Sequence, residues 1–354
     1  MTRAIFFERS AVFVGLVMVG ALATSMSATP QDNRTGSAYT VGTLALPDNG
    51  TGDVTMDYIA FDPATNSLWV PGGNTGAVDV VDVATRKVRQ IPNLPTAQVQ
   101  ARGGTRVLGP SAVSIGDSVV YIGNRGGSDV CAFNARTLAR VACAHLDSRP
   151  DGVVYVAPTK EVWVTTPGEQ SVRVLDATTL MQKAKLTFPG NPEGYAVDAK
   201  RGRFYTNLED KDRTVAVDLK SHETVATWNP ACGGGGPHGL GLDVAAGHLF
   251  IGCDGVAEVM NVGGDGAVLS KVDTGDGVDD INYAPATHLL YVGAARAAKL
   301  TIARADDAGK LTIVTQVATQ NGARNGVVTT NGTVFLAHGG GVKLPALVVV
   351  SPGK

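Results

Sequence analysis

The sequence holds little charge, few cysteines and none of the short signatures that mark the common reaction centres. Lys and Arg number 30 and Asp and Glu 32, together 18% of 354 residues, with a formal net charge of -2. That balance argues against a generally basic nucleic-acid-binding surface. The four cysteines never fall in a CxxC spacing, which leaves a cysteine-ligated metal cluster without its usual pattern. No Gly-x-Ser-x-Gly occurs, so no Ser-His-Asp arrangement can be assigned. The glycine run Gly233 to Gly236 precedes no helical pattern and is not a phosphate loop. The stretch GDGVDD lacks the EF-hand spacing. Beyond the N-terminal region no segment is apolar for long enough to cross a membrane.

At the N-terminus Arg3 and Arg9 precede an apolar core, AVFVGLVMVGALA, followed by the small residues Ser25, Ser27 and Ala28. This pattern predicts a secretory signal peptide over residues 1–28 and one domain over residues 29–354. An uncleaved membrane anchor is the rival reading, for which the apolar stretch is short. No Cys follows it, so no lipid anchor is indicated. The expected location is periplasmic or secreted, with no stable membrane span after cleavage. Four cysteines suit such an oxidising compartment. Of three connectivities, Cys131–Cys143 with Cys232–Cys253 is the most local.

The dominant feature is repetition. Seven segments share one register: DYIAFDPATNSLWV from Asp57, PSAVSIGDSVVYI from Pro110, PDGVVYVAPTKEVWV from Pro150, PEGYAVDAKRGRFYT from Pro192, PHGLGLDVAAGHLFI from Pro237, DDINYAPATHLLYV from Asp279 and NGVVTTNGTVFL from Asn325. Their spacing of roughly 40 residues is the period of a four-stranded propeller blade. The intervening segments, such as AVDVVDVATRKV and SVRVLDATTLMQKAKL, alternate as two outer strands joined by a hairpin. The last copy ends with three strands, and the segment from Tyr39 to Leu46 supplies the fourth. The prediction is an all-β, seven-bladed β-propeller closed by its N-terminal strand, with no free sheet edge at the seam. Trp69, Trp163 and Trp228 fall on strands and are expected to pack between blades. Asn331-Gly-Thr fits a glycosylation acceptor or, more simply, a strand turn of blade 7.

Three of these segments carry a family likeness. VWVTTPGEQSVRVLDATTLMQKAKL, the following NPEGYAVDAKRGRFYT, and RFYTNLEDKDRTVAVDL resemble the YVTN-type repeat of YncE-like propellers over roughly residues 39–354. The resemblance implies the fold. Such relatives include surface-layer and periplasmic binding proteins, lactonases and propeller subunits of redox enzymes. No family catalytic signature carries over. The four histidines of iron-dependent carotenoid-cleaving propellers are not at matching positions, and a haem-attaching CxxCH is absent.

Register then selects candidate site residues. The first strand of each blade lines the channel, and its start reads Asp57, Ser111, Asp151, Glu193, His238, Asp279 and Asn325. All are polar, and four are carboxylates that repel unless they bind a cation, take up protons or stay hydrated. Glu193, His238 and Asp279, from consecutive blades, are the candidates for a divalent cation or for acid-base chemistry. Asp57, Ser111, Asp151 and Asn325 are candidate ligand contacts. A hydrated channel lined by turn-forming residues is the plain alternative. Loops after the second strands add Asn74, Arg125, Glu209, Asp254, Arg296 and His338 to the same face. Arg125 and Arg296 suit an organic anion such as a carboxylate or lactone. The long connection over residues 91–109, with Arg102 and Arg106, is placed to cover that mouth.

The expected function is binding of a small ligand or protein partner at the channel face, with no nucleic acid. The alternative is a lactonase-like hydrolase or lyase on the same face, with a divalent cation as the one cofactor considered. There Glu193 or Asp279 would serve as base or ligand and His238 as acid, base or ligand. A redox subunit is the third reading.

Overall fold

A computed structural model describes residues 39–48, 50–101, 104–338 and 345–353. The expected signal peptide lies outside the described residues. The strands belong to one compact unit, Ser37–Lys354. Among the described residues no helix is long and apolar enough to cross a membrane.

The described strands form seven four-stranded antiparallel sheets and one two-stranded hairpin. The sheets are the blades. Blades 1 to 6 span residues 60–91, 110–145, 153–187, 192–228, 237–275 and 278–318. Blade 7 combines residues 323–352 with the strand Tyr39–Ala45. That strand pairs over its full length, from Tyr39 opposite Pro352 to Ala45 opposite Ala346. The ring is therefore closed between the two ends of the chain, as the repeat count requires.

Burial explains why each strand has its composition. Second strands such as Ser67–Gly72 and Glu161–Thr166 are buried along their whole length, because neighbouring blades cover both faces. Fourth strands such as Gln182–Thr187 lie mostly at the surface and carry the lysines. Trp69 packs with Val113, Val120 and Ile122 of blade 2. Trp163 meets Phe204 of blade 4 with centroids 4.7 Å apart. Trp228 covers the blade 5 turn at Gly266, where an added Cβ would fall 2.1 Å from the indole ring.

The outer hairpins turn on Asp-x-x-Thr or a close variant, at Asp82, Asn134, Asp176 and Asp218, and the choice has a local cause. Asp82, Asn134, Asp176 and Asp218 each accept backbone N–H groups of the following turn through Oδ1. Each turn then closes at a left-handed residue, Arg86, Leu138, Leu180 or His222, whose N–H returns to the carbonyl of the Asp or Asn. The short side chain thus fixes the outer hairpin in at least four blades.

Both expected disulfides are present. Cys131 and Cys143 are direct cross-strand partners in blade 2. Cys232, ahead of blade 5, is bonded to Cys253 at the end of that blade's second strand. The connection over residues 91–109 contains its own hairpin, Ala97–Ala101 paired with Gly104–Leu108.

Candidate functional site at the channel mouth

The ladder slips at the entrance of five inner strands. Register shifts fall between Pro110 and Ala112, Glu193 and Tyr195, Pro237 and Leu240, Val278 and Ile281, and Ala323 and Gly326. A bulge inserts one unpaired residue and re-aims side chains. In blades 5, 6 and 7 two successive residues are left unpaired at the entrance, and in blades 2 and 4 one, Ser111 and Gly194. Ser111, Glu193, His238, Asp279 and Asn325 all sit at these bulges, and so do Arg324 and Asp280, which the single-position register missed. Asp57 and Asp151 stand just ahead of their inner strands.

The ring is knit by polar contacts between blades. Arg125 pairs with Asp57 at 2.8 Å and with Asp151. Asn325 donates from Nδ2 to Asp57 Oδ1 (2.7 Å) and accepts the backbone N–H of Asp280 at Oδ1 (2.9 Å). Arg324 Nη1 lies 2.9 Å from Asp279 Oδ2. His238 Nδ1 lies 3.5 Å from Glu209 Oε1. Ser111 Oγ is buried without a hydrogen-bond partner.

One contact crosses the channel. Tyr58 of blade 1 donates its hydroxyl to Glu193 Oε1 of blade 4 at 3.3 Å. Its ring lies 5.7 Å from that of Tyr195, also of blade 4. Blades 1 and 4 face each other across a seven-membered ring, so these side chains bridge the channel. Gly152 makes room, since a Cβ there would fall 2.2 Å from the Tyr195 ring.

At the ring is a cleft of about 570 Å³ lined by Asp57, Asn74, Arg106, Ser111, Arg125 and Arg324. The hairpin after blade 1 forms one wall, as Arg106 shows; Arg102 lies outside the described residues. The wall is held by backbone packing. A Cβ on Gly109 would sit 2.2 Å from the Gly73 carbonyl oxygen, and one on Gly126 would sit 2.4 Å from that of Pro95. The cleft is thus preformed, as ligand sites usually are.

Other rim candidates are placed differently. Asn74 is occupied by Asp53 and Thr55. Arg296, largely exposed, pairs with Asp254, which also accepts the Gly277 N–H. His338 is buried in blade 7, with only 1% of its surface exposed, rather than on the rim. The donor atoms of Glu193, His238 and Asp279 do not gather within 4.8 Å of one another.

Crowded, half-buried carboxyls of the ring hold their protons. Burial, then the charges of Asp279, Glu209 and Asp57, pushes Glu193 up to about 8. Burial and Asp279 push Asp280 up to about 8 as well. Burial also raises Asp279, against the pull of Arg324. Tyr58 is raised by burial and by Glu193. At neutral pH Glu193 and Asp280 are therefore mainly protonated, and Glu193 can donate as well as accept.

These shifts have a sign. The folded chain holds both protons up to about pH 8, whereas the ordinary carboxyl values of the unfolded chain are 4.5 and 3.8. Their contribution to stability is complete below the unfolded values, declines as pH rises and is gone above about 8. The melting temperature is expected to fall between about pH 5 and about pH 8. The double variant Glu193→Gln, Asp280→Asn should flatten that slope. An equal slope in the variant, followed by differential scanning calorimetry across the pH range, would show that neither carboxyl holds a raised value.

No family model matches the chain, and no curated protein matches it. Solved structures do. A chain from "Crystal Structure of Mitotic Checkpoint Complex" superposes with TM-score 0.70 at 12% identity, covering 96% of this chain and 99% of that one. "Crystal structure of RRP9 WD40 repeats" gives 0.70 at 10% identity, covering 88% and 97%. "Streptogramin B lyase structure" gives 0.70 at 10% identity, covering 89% and 98%. At such identities the likeness establishes the propeller fold and nothing finer.

Proposed function

We propose that this propeller binds a small organic anion, a carboxylate, in the cleft at its channel mouth. The observation that carries the reading is the convergence of Arg106, Arg125 and Arg324 on one preformed cleft. Arg125 and Arg324 are held in place by ring carboxylates, so their remaining N–H groups are oriented before a ligand arrives. Asn325 and Asp57 lock the two sides of the cleft together. The two disulfides favour the periplasmic or secreted setting expected from the N-terminal sequence, and the strand motifs favour kinship with the YncE-like propellers.

Titration calorimetry against a panel of carboxylates and of neutral lactones and esters tests this. Binding of the anionic members is expected in the intact protein and a loss of about tenfold or more in Arg324→Gln, the cost of one charge-assisted contact. Equal affinity for neutral and anionic members, or full binding by Arg324→Gln, would refute it.

The second reading is a hydrolase or lyase on the same face. It is favoured by one feature: a half-buried Glu193 whose proton affinity is tuned close to neutrality, as suits general acid-base work. The lyase among the similar structures adds the fold alone. Turnover of any panel member, abolished in Glu193→Gln while binding persists, would decide for catalysis. A divalent cation on Glu193, His238 and Asp279 would require their side chains to move together, and metal analysis of the purified protein tests that.

A further inference from the structure

A second cluster lies apart from the cleft, in blade 5. The sulfurs of Cys232 and Cys253 and a carboxylate oxygen of Glu258 lie within 4.8 Å of one another. Glu258 is wholly buried, and its Oε1 has no hydrogen-bond partner. Its only ion-pair partner among the described residues is Lys271, whose Nζ is 2.7 Å from Oε2 and half exposed. A buried carboxylate so poorly satisfied is costly unless something else engages it.

The three groups do not depend on the disulfide for their positions. Cys253 and Glu258 sit on adjacent paired strands, with Cys253 opposite Val256 and Ile251 opposite Glu258. The Cys232 loop is pinned by Asp212, whose carboxylate accepts the N–H groups of Cys232 and Gly233, each at 3.1 Å. Lys271 also donates to the carbonyl of Ala231 at 3.2 Å. Opening the S–S bond would leave the sulfurs near the carboxylate.

We propose that reduction of Cys232–Cys253 converts this corner into a two-thiolate, one-carboxylate site for a divalent ion of the Zn²⁺ class. Two sulfurs at about 2.3 Å and one oxygen at about 2.0–2.2 Å fill three of four tetrahedral positions, and water takes the fourth. The chemistry balances. A dithiol gives two electrons and two protons to the disulfide, the Sγ–Sγ bond breaks, and the dithiol leaves as its own disulfide. The ion then replaces the two thiol protons, which are released, and Lys271 gives up its carboxylate. Cys232, only partly buried, provides the entry side. Exchange with the oxidised, disulfide form of the dithiol reverses the sequence: it takes up the two electrons, the Sγ–Sγ bond re-forms and the ion is expelled.

The test uses the full chain, reduced by a water-soluble phosphine, which becomes its oxide and does not itself supply thiolates. Co²⁺ is the spectroscopic probe and Zn²⁺ the competitor. One equivalent of Co²⁺ is expected to give thiolate-to-metal charge-transfer absorption that Zn²⁺ abolishes. Unreduced protein should show none. Glu258→Gln should weaken binding about tenfold or more, and Cys232→Ser should remove the band. The double variant Cys131→Ser, Cys143→Ser should keep it. No band after reduction, a band unaffected by both Glu258→Gln and Cys232→Ser, or one that disappears with Cys131 and Cys143 would each overturn the assignment. Because Cys232 lies in a loop, its variant remains informative if Glu258→Gln does not fold.

Discussion

A chain that begins at residue 47 is expected not to fold at room temperature, while one that begins at Ser37 serves as the reference. The truncation removes the seven-residue ladder Tyr39–Ala45 against Ala346–Pro352. It also removes Leu44 and Leu46, 5% and 6% exposed, from the cluster they share with Val54, Met56, Leu347 and Val349. Burial of two leucines contributes about 1.5–3 kcal/mol each. The vacated strand position leaves an open edge where a propeller has one seam. Together these losses approach the whole stability of a typical domain, about 5–15 kcal/mol. Far-ultraviolet circular dichroism and a thermal melt of both chains are the measurement. A truncated chain that melted with the reference would show that the ring closes without its N-terminal strand.

Removing Arg125 should be the most damaging single change at the mouth. Its guanidinium lies between Asp57 and Asp151, whose side chains are only 13% and 8% exposed. Asp151 Oδ2 has no hydrogen-bond partner, so Arg125 is its main support. Breaking such a buried pair from one side costs about 3–5 kcal/mol, because a charge is left in a poor solvent. Arg125→Ala is therefore expected to lose about 3 kcal/mol in urea unfolding and to lose ligand binding. Adding Asp151→Asn should recover much of the stability but none of the binding. A single variant within about 0.5 kcal/mol of the parent would mean that the mouth is well hydrated. The channel would then be lined by solvated residues, the plain alternative raised by the sequence.

How far the residues themselves foretold this arrangement varies with the physics involved. The blades were legible because a buried second strand such as Glu161–Thr166 and an Asx-closed outer hairpin such as that of Asp176 impose local residue choices that recur with each blade. The seam was legible because three strands at one end require a fourth from elsewhere. The level of the polar ring was legible too, since equal places in a repeat map onto one circle. Arg324 and Asp280 were not, because a bulge breaks the alternation that register reasoning assumes. The doublets Asp279-Asp280 and Arg324-Asn325 at strand entrances were the available signal. His338 shows the converse: its place after a second strand suggested a loop, but the strand runs on through it, Val334–His338. No local pattern could reveal that Tyr58 reaches Glu193, since 135 residues separate them.

That cross-channel contact ties blade 1 directly to blade 4, bypassing the blades between them. A separate groove lies at the far ends of the inner strands, lined in part by the half-buried Phe61, Tyr283 and Val328. The groove and the cleft beside Arg125 have no lining residue in common, so a ligand seated in one touches none of the side chains that form the other.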